Sequence, residues 1–303
     1  MEFFKTPNFD LIGKRKIFYS ISIAIGIITC LAVIYRRGLN PSIDFTGGTL
    51  IQGFFKSTVS MKDIRSALDG ASLGGGELQS IPERNAVIIR FKSEAHAKQQ
   101  VGNQITEALN KAFPSNSFTV ERVEFVGPVV GRHLVGQAMM AFIFSMLGIS
   151  VYVAFRFKKW VWGITGVFAL VHDVFFTVGF MAIMGREMSI SVMAALLTIA
   201  GYSINDTIVI FDRIRENLRN QRNRKEDIGQ LMNRSFNETL SRTIITSLTV
   251  FIVLIALLIF GGEVIRDFTL AMTFGVVVGT YSSIFVASAM VYDWQKKRKT
   301  PLW

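Results

Sequence analysis

Six long apolar blocks constrain this chain more than any other feature. They run Ile17–Tyr35, Val135–Phe155, Val161–Met184, Ile190–Phe211, Thr243–Phe260 and Phe268–Tyr292. Each lies close to the roughly 20 residues that an α-helix needs to cross a hydrocarbon core. Half of the 303 residues are hydrophobic. Because they are gathered into blocks, they predict a membrane α-helical bundle of six transmembrane helices rather than soluble domains.

The formal net charge of +11 follows the same plan. Basic residues cluster at Lys14-Arg15-Lys16, at Arg156, Lys158 and Lys159, between Arg213 and Arg234, and at Lys296–Lys299. With six spans, these four places lie on one side. The opposite links, "GREMSI" and "GGEVIRD", each carry one Arg balanced by acids. The positive-inside rule then puts both termini in the cytoplasm, as for a multi-pass protein of the cytoplasmic (inner) membrane. The charge is a topology signal, so membrane lipid is an expected partner and nucleic acid is not. The first apolar block is longer than the roughly 7–15 residues of a cleavable signal and ends in "YRR", which predicts an uncleaved anchor. The lone Cys30 lies inside it and reads as a small packing residue.

The chain divides into three parts: an N-terminus and first span (1–35), one polar extracytoplasmic domain (36–134), and spans two to six (135–303). Within the polar domain, "GGTLIQGFF", "ELQSI", "AVIIRF" and "FTVERVEFV" read as strands. "SMKDIRSALDG", with Ser60 as its cap, reads as a helix, as does the stretch from Ser93 to Phe113. The turn "PERN" joins the middle strands. The order β-α-β-β-α-β predicts a ferredoxin-like α+β domain. The charged stretch 212–241 reads as a cytoplasmic loop. Ile228, Leu231, Phe236 and Leu240 recur there at nearly helical spacing, which suggests an amphipathic helix on the membrane surface; a solvated linker is the alternative.

Ionisable groups inside spans cost about 2.5–3.5 kcal/mol on insertion scales, so each demands a reason. The fourth span holds Asn205-Asp206, with Asp206 seven residues before Arg213 and hence about 10 Å inside the basic edge. Arg242 opens the fifth span, followed by Thr246 and Thr249. Burial opposes the charge on a carboxyl and a nearby guanidinium favours it, and that balance suits a proton relay. A static buried pair fits the same residues, and Arg242 also obeys the positive-inside rule. His172-Asp173 in the third span forms a possible secondary relay. Gly275, Gly279 and Ser283 recur every fourth residue in the sixth span. This small-residue face admits another helix closely, from the bundle or from a partner. The chain holds no metal spacing among His96, His133 and His172, no nucleotide-binding loop and no enzyme constellation, so no cofactor is expected.

Several longer motifs carry a resemblance. "PSIDFTGGTLIQ" after the first span, "VEFVGPVVG" before the second, "VHDV" in the third, "GYSINDTIVIFDRIREN" in the fourth and "LSRTIITS" opening the fifth resemble the SecD/SecF family, in the order of its SecF branch. The family belongs to the resistance-nodulation-division superfamily. The resemblance implies proton-motive-force-driven assistance to preprotein export. Its implied partners are SecD, the SecYEG channel and the translocating preprotein, with YajC and SecA as indirect partners. It also implies that Asp206 is the proton-carrying residue and Arg242 its partner. It makes Asp44, Phe45, Thr46, Gly47 and Gly48 the family signature, a structural bend between span and outer domain. Two other readings stay open: half of another exporter of the superfamily, and a non-transport scaffold of a membrane complex.

Overall fold

Helix α1 (Arg15–Tyr35) is almost wholly apolar and ends where Arg36 and Arg37 begin. In the computed structural model, residues 7–81, 84–91, 101–220 and 227–298 are described. The short strand β1 (Asn40–Pro41) and the single turn α2 (Ile43–Thr46) follow α1. The chain folds as two compact units, Pro41–Met140 and the remainder.

The smaller unit is built from β2 (Gly48–Phe55), α3 (Met61–Gly70), β3 (Glu77–Ile81), β4 (Ala86–Phe91), α4 (Val101–Ala112) and β5 (Phe118–Val126). The sheet order is β3-β4-β2-β5, and every neighbouring pair is antiparallel. This is the ferredoxin-like order expected. Ser60 caps α3 by accepting from the Asp63 amide at 3.2 Å. Ile64, Leu68, Ile105 and Leu109, spaced by four on α3 and α4, pack on Ile51, Ile89 and Phe91 of the sheet. Pro82 and Glu83 of the expected turn, and Ser93–Gln100 of the expected second helix, lie outside the described residues. The unit extends to Met140, past the expected limit at 134, because the second span starts early: α5 runs Pro128–Phe157.

The larger unit holds the remaining spans: α6 (Trp160–Ile183), then the short strand β6 (Glu187–Met188), α7 (Ile190–Asn220), α8 (Ile228–Phe260) and α9 (Arg266–Ser282). A π-helical turn, Ser283–Ala287, joins α9 to α10 (Ser288–Arg298). Among the described residues, six helices are thus long and apolar enough to cross a membrane. Helices α6, α7 and α9–α10 form the buried middle, whereas α1, α5 and α8 turn most of their apolar residues outward.

The expected loop 212–241 requires correction. Helix α7 continues through Asn220, and α8 begins at Ile228, capped by Asp227 on the Gly229 amide. No Gly or Pro interrupts the chain between Asp206 and Asn220, and Ile210, Ile214 and Leu218 keep the core face in phase. Leu231 and Phe236 are buried against Ile214 and Leu218, so this face packs inside the protein rather than on a membrane surface. Arg213 reaches Glu238 at 2.7 Å, and Asn217 donates to Ser235 Oγ at 2.9 Å and to Glu238 at 2.8 Å.

The N-terminal segment straps this extension. The Phe9 amide donates to Asn237 Oδ1, and the Leu11 and Ile12 amides donate to Asn233 Oδ1, all within 3.0 Å. Asn233 Nδ2 donates to Asp10 at 2.7 Å. The Gly13 amide, then Asn233, hold the Asp10 carboxyl below its ordinary range by hydrogen-bonding its charged form.

Candidate functional site

Asp173 sits at the centre of the bundle and is 0 % exposed. Its Oδ2 accepts from Ser203 Oγ of α7 at 2.5 Å and from Ser282 Oγ of α9 at 2.7 Å. Its Oδ1 lies 3.0 Å from Nδ1 of His172. The other imidazole nitrogen is 3.2 Å from Ser22 Oγ on α1, which is 3.1 Å from the Tyr281 hydroxyl. Tyr281 in turn donates to the Phe18 carbonyl at 2.7 Å. One carboxyl thus ties α6 directly to α7 and α9, and through His172 to α1. Just beyond, Ser283 of the π turn lies 2.8 Å from the Thr207 hydroxyl. The serines at 22, 203 and 282 had no sequence signal of their own. In a spanning helix a hydroxyl usually returns its proton to its own backbone, so only the fold shows which ones cross to a neighbour.

Asp206, one turn further along α7 than Ser203, has a different environment. It is 3 % exposed, yet its buried Oδ2 meets no hydrogen-bond partner among the described residues. The guanidinium of Arg242 acts on it through space, not through a hydrogen bond. The structure thus brings Asp206 and Arg242 within electrostatic reach across α7 and α8. Asn205 is not brought in. One residue along a helix is a 100° turn, and Asn205 points outward while Asp206 points in. Thr246 and Thr249 bond back to the carbonyls of Arg242 and Thr246 on their own helix. Two other acids lie within their helices and pair with basic residues at the ends of others, Asp212 with Arg156 in the last turn of α5 at 2.7 Å and Asp293 with Arg15 at the start of α1 at 2.8 Å.

The small-residue face of the sixth span is occupied within the chain. A Cβ on Gly275 would stand 2.2 Å from Ile199 Cδ1, and one on Gly279 would stand 3.0 Å from Ser203 Cβ. Helix α7 therefore lies directly on α9. At the family signature, Asp44 to Thr46 lie in the turn α2 (Ile43–Thr46), which Ser42 caps by accepting from the Asp44 amide. Gly47 follows with φ +73°, and a Cβ there would stand 2.7 Å from the Pro128 backbone. Left-handed geometry and close approach both require glycine at that point. Among the described residues, no group of three or more His, Cys, Asp or Glu side chains is placed to hold a metal ion.

A six-span bundle with ionisable side chains buried in its centre, and one ferredoxin-like domain between its first two spans in the chain, defines a class of multi-pass membrane protein. Comparison with known proteins narrows the class. Residues 104–297 match the family described as protein export membrane protein SecD/SecF, C-terminal, and residues 32–52 match the SecD/SecF GG motif. The protein translocase subunit SecF of Endomicrobium trichonymphae is 44% identical over 297 residues, covering 98% of this chain and 94% of that protein. SecF of Calditerrivibrio nitroreducens is 43% identical over 293 residues, covering 96% of each. The crystal structure of SecDF from Thermus, a translocon-associated membrane protein, superposes with TM-score 0.85 at 36% identity. That match covers 96% of this chain but 39% of the solved one. A SecDF crystal structure in a super-membrane-facing form gives TM-score 0.69 at 37% identity. The chain belongs to the SecD/SecF family, and its near full-length relatives are SecF proteins.

Proposed function

We propose that this chain is an accessory subunit of Sec protein translocation that works with SecD, draws on the proton motive force and promotes preprotein passage through SecYEG. It catalyses no covalent chemistry. The observation that carries the proton reading is Asp206, a carboxyl buried in the bundle with one oxygen unpartnered among the described residues. A buried carboxylate with no donor on it gains from neutralisation, and Arg242 nearby keeps the charged form within reach. Binding and release of a proton would therefore shift the contact between α7 and α8. Each charge carried through the full potential delivers about 2.3 kcal/mol per 100 mV. His172-Asp173 rank second as a relay. SecYEG and the preprotein would be direct partners, and YajC and SecA indirect ones.

The decisive measurement is preprotein export in vesicles reconstituted with SecYEG, SecA, SecD and this chain, with and without an imposed proton gradient. Asp206→Asn keeps size and removes titration. It is expected to leave assembly with SecD intact and to lose all stimulation by the gradient, and Arg242→Ala is expected to do the same. Full stimulation in the Asn variant would remove Asp206 from the mechanism and bring His172-Asp173 forward. We place the α+β unit outside the cytoplasm with both termini inside, in the inner membrane. A reporter inserted at Gly75 should then read extracytoplasmic, and one at the C-terminus cytoplasmic. The reverse pattern overturns this topology.

A further inference from the structure

The two helices that carry Asp206 and Arg242 run antiparallel in a fixed register. Tyr202 of α7 donates to Ser247 of α8, and Arg213 of α7 pairs with Glu238 of α8. Asp206 stands four residues after Tyr202, and Thr243 stands four residues before Ser247. With equal rise on both helices, the two residues meet at the same level. Both face the interior: Asp206 is 3 % exposed and Thr243 is 1 % exposed. Among the described residues, Asp206 Oδ2 and Thr243 Oγ1 are both buried without a hydrogen-bond partner.

Thr243 also departs from its own helix. Thr239 and Thr246 return their hydroxyl protons to carbonyls three or four residues back, as spanning-helix threonines ordinarily do. Thr243 does not. Its hydroxyl can both donate and accept, which is what a group facing a titrating carboxyl needs in both states. It can donate to the carboxylate and accept from the protonated acid. The other charged or titratable groups around Asp206 are Arg242, acting through space, and Tyr202, whose hydroxyl is engaged on Ser247. Asp173 is held on Ser203, one turn away.

We infer that Thr243 is a positioning residue for Asp206: its hydroxyl is the hydrogen-bond partner that the carboxyl uses across the α7–α8 contact as it gains and loses its proton. The inference rests on the reading of Asp206 as the proton carrier. It adds a residue whose part is to set where the carboxyl titrates rather than to carry the proton.

The test is infrared difference titration of the full chain with SecD in vesicles, following the carboxylic C=O band. Asp206→Asn identifies the band by abolishing it. Thr243→Val keeps the shape and removes the hydroxyl. It should raise the C=O frequency of that band and move its titration midpoint by about half a pH unit or more, the size expected of one hydrogen bond. Thr243→Ser restores the hydroxyl and should bring both values back. An Asp206 band unmoved in Thr243→Val overturns the role of Thr243 while leaving Asp206 as carrier. A shift in the Val variant that Thr243→Ser does not reverse also overturns it, because the effect would then be one of packing. If no band disappears in Asp206→Asn, the carrier reading fails and takes this inference with it.

Discussion

Asp173 and Asp206 are two carboxyls buried by one helix bundle, and they are treated in opposite ways. Asp173 has hydrogen-bonding neighbours on both oxygens, from α6, α7 and α9. Asp206 has an oxygen with none among the described residues, and its cation Arg242 stays beyond hydrogen-bonding distance. A fully bonded buried carboxyl is held in place and stabilises the packing of everything that bonds it. A carboxyl left short of partners stabilises nothing and responds to any change in charge. Two buried acids are thus told apart by their hydrogen bonds, and the proposal that Asp206 carries the proton rests on that difference.

The largest expected effect breaks the well-bonded member. Asp173→Asn removes the charge and replaces one of two bonded acceptor oxygens with an NH2 that can only donate, in a site where Oδ2 accepts from two serines and Oδ1 meets His172. It should destabilise the protein by about 3 kcal/mol, read as a fall in the thermal midpoint of the purified protein. The same substitution at Asp206 should change stability by less than about 1 kcal/mol while export loses its response to the gradient. Equal stability losses at the two sites would erase the distinction drawn between them.

Gly279→Ala sharpens it. The added methyl would stand 3.2 Å from Ser203 Oγ, the hydroxyl that bonds Asp173. We expect a cost of about 1–2 kcal/mol in thermal unfolding. Combined with Ser203→Ala the two costs should be less than additive, because both act through one hydrogen bond. Strict additivity would separate the glycine from the Asp173 network.

The smallest effect lies outside the spans. Asp10 has a folded-state value depressed from the ordinary 3.8 by the Gly13 and Asn233 hydrogen bonds. Its contribution to the N-terminal strap is therefore complete above about pH 4 and is lost as pH falls through the folded value. A nitroxide at Asn8→Cys, in a Cys30→Ser background, should show unchanged mobility from pH 7 to 5 and rising mobility below pH 4. A transition near neutrality would assign the strap to another group.

Much of this was legible in the sequence because it rests on periodicity. The six apolar blocks and the alternation of short strands with Ser60-capped and Leu109-bearing helices fix the spans and the order of the outer domain. The glycines of the signature and of the sixth span are legible for a related reason, since few other residues permit such bends and approaches. What a single helix cannot show is which of its faces meets which neighbour. Asn205 is adjacent to Asp206 in sequence and a third of a turn away in space. Ser203, Ser282 and Thr243 carry ordinary side chains whose role depends on a partner helix far along the chain. The stretch 212–241 misleads because its charges suggest solvent, while its buried face keeps step with the helices on either side.

That continuity has a mechanical consequence. Helix α7 is a single rod of 31 residues, about 46 Å long, with Asp206 near its midpoint. Asn220 lies about 21 Å from that pivot, so a tilt of about 5° at Asp206 swings the tip through about 2 Å. The Arg213–Glu238 and Asn217–Ser235 links gear α8 to the same swing. A small displacement at the middle of the bundle thus reaches its basic end as a lever stroke, with no segment needing to fold or unfold.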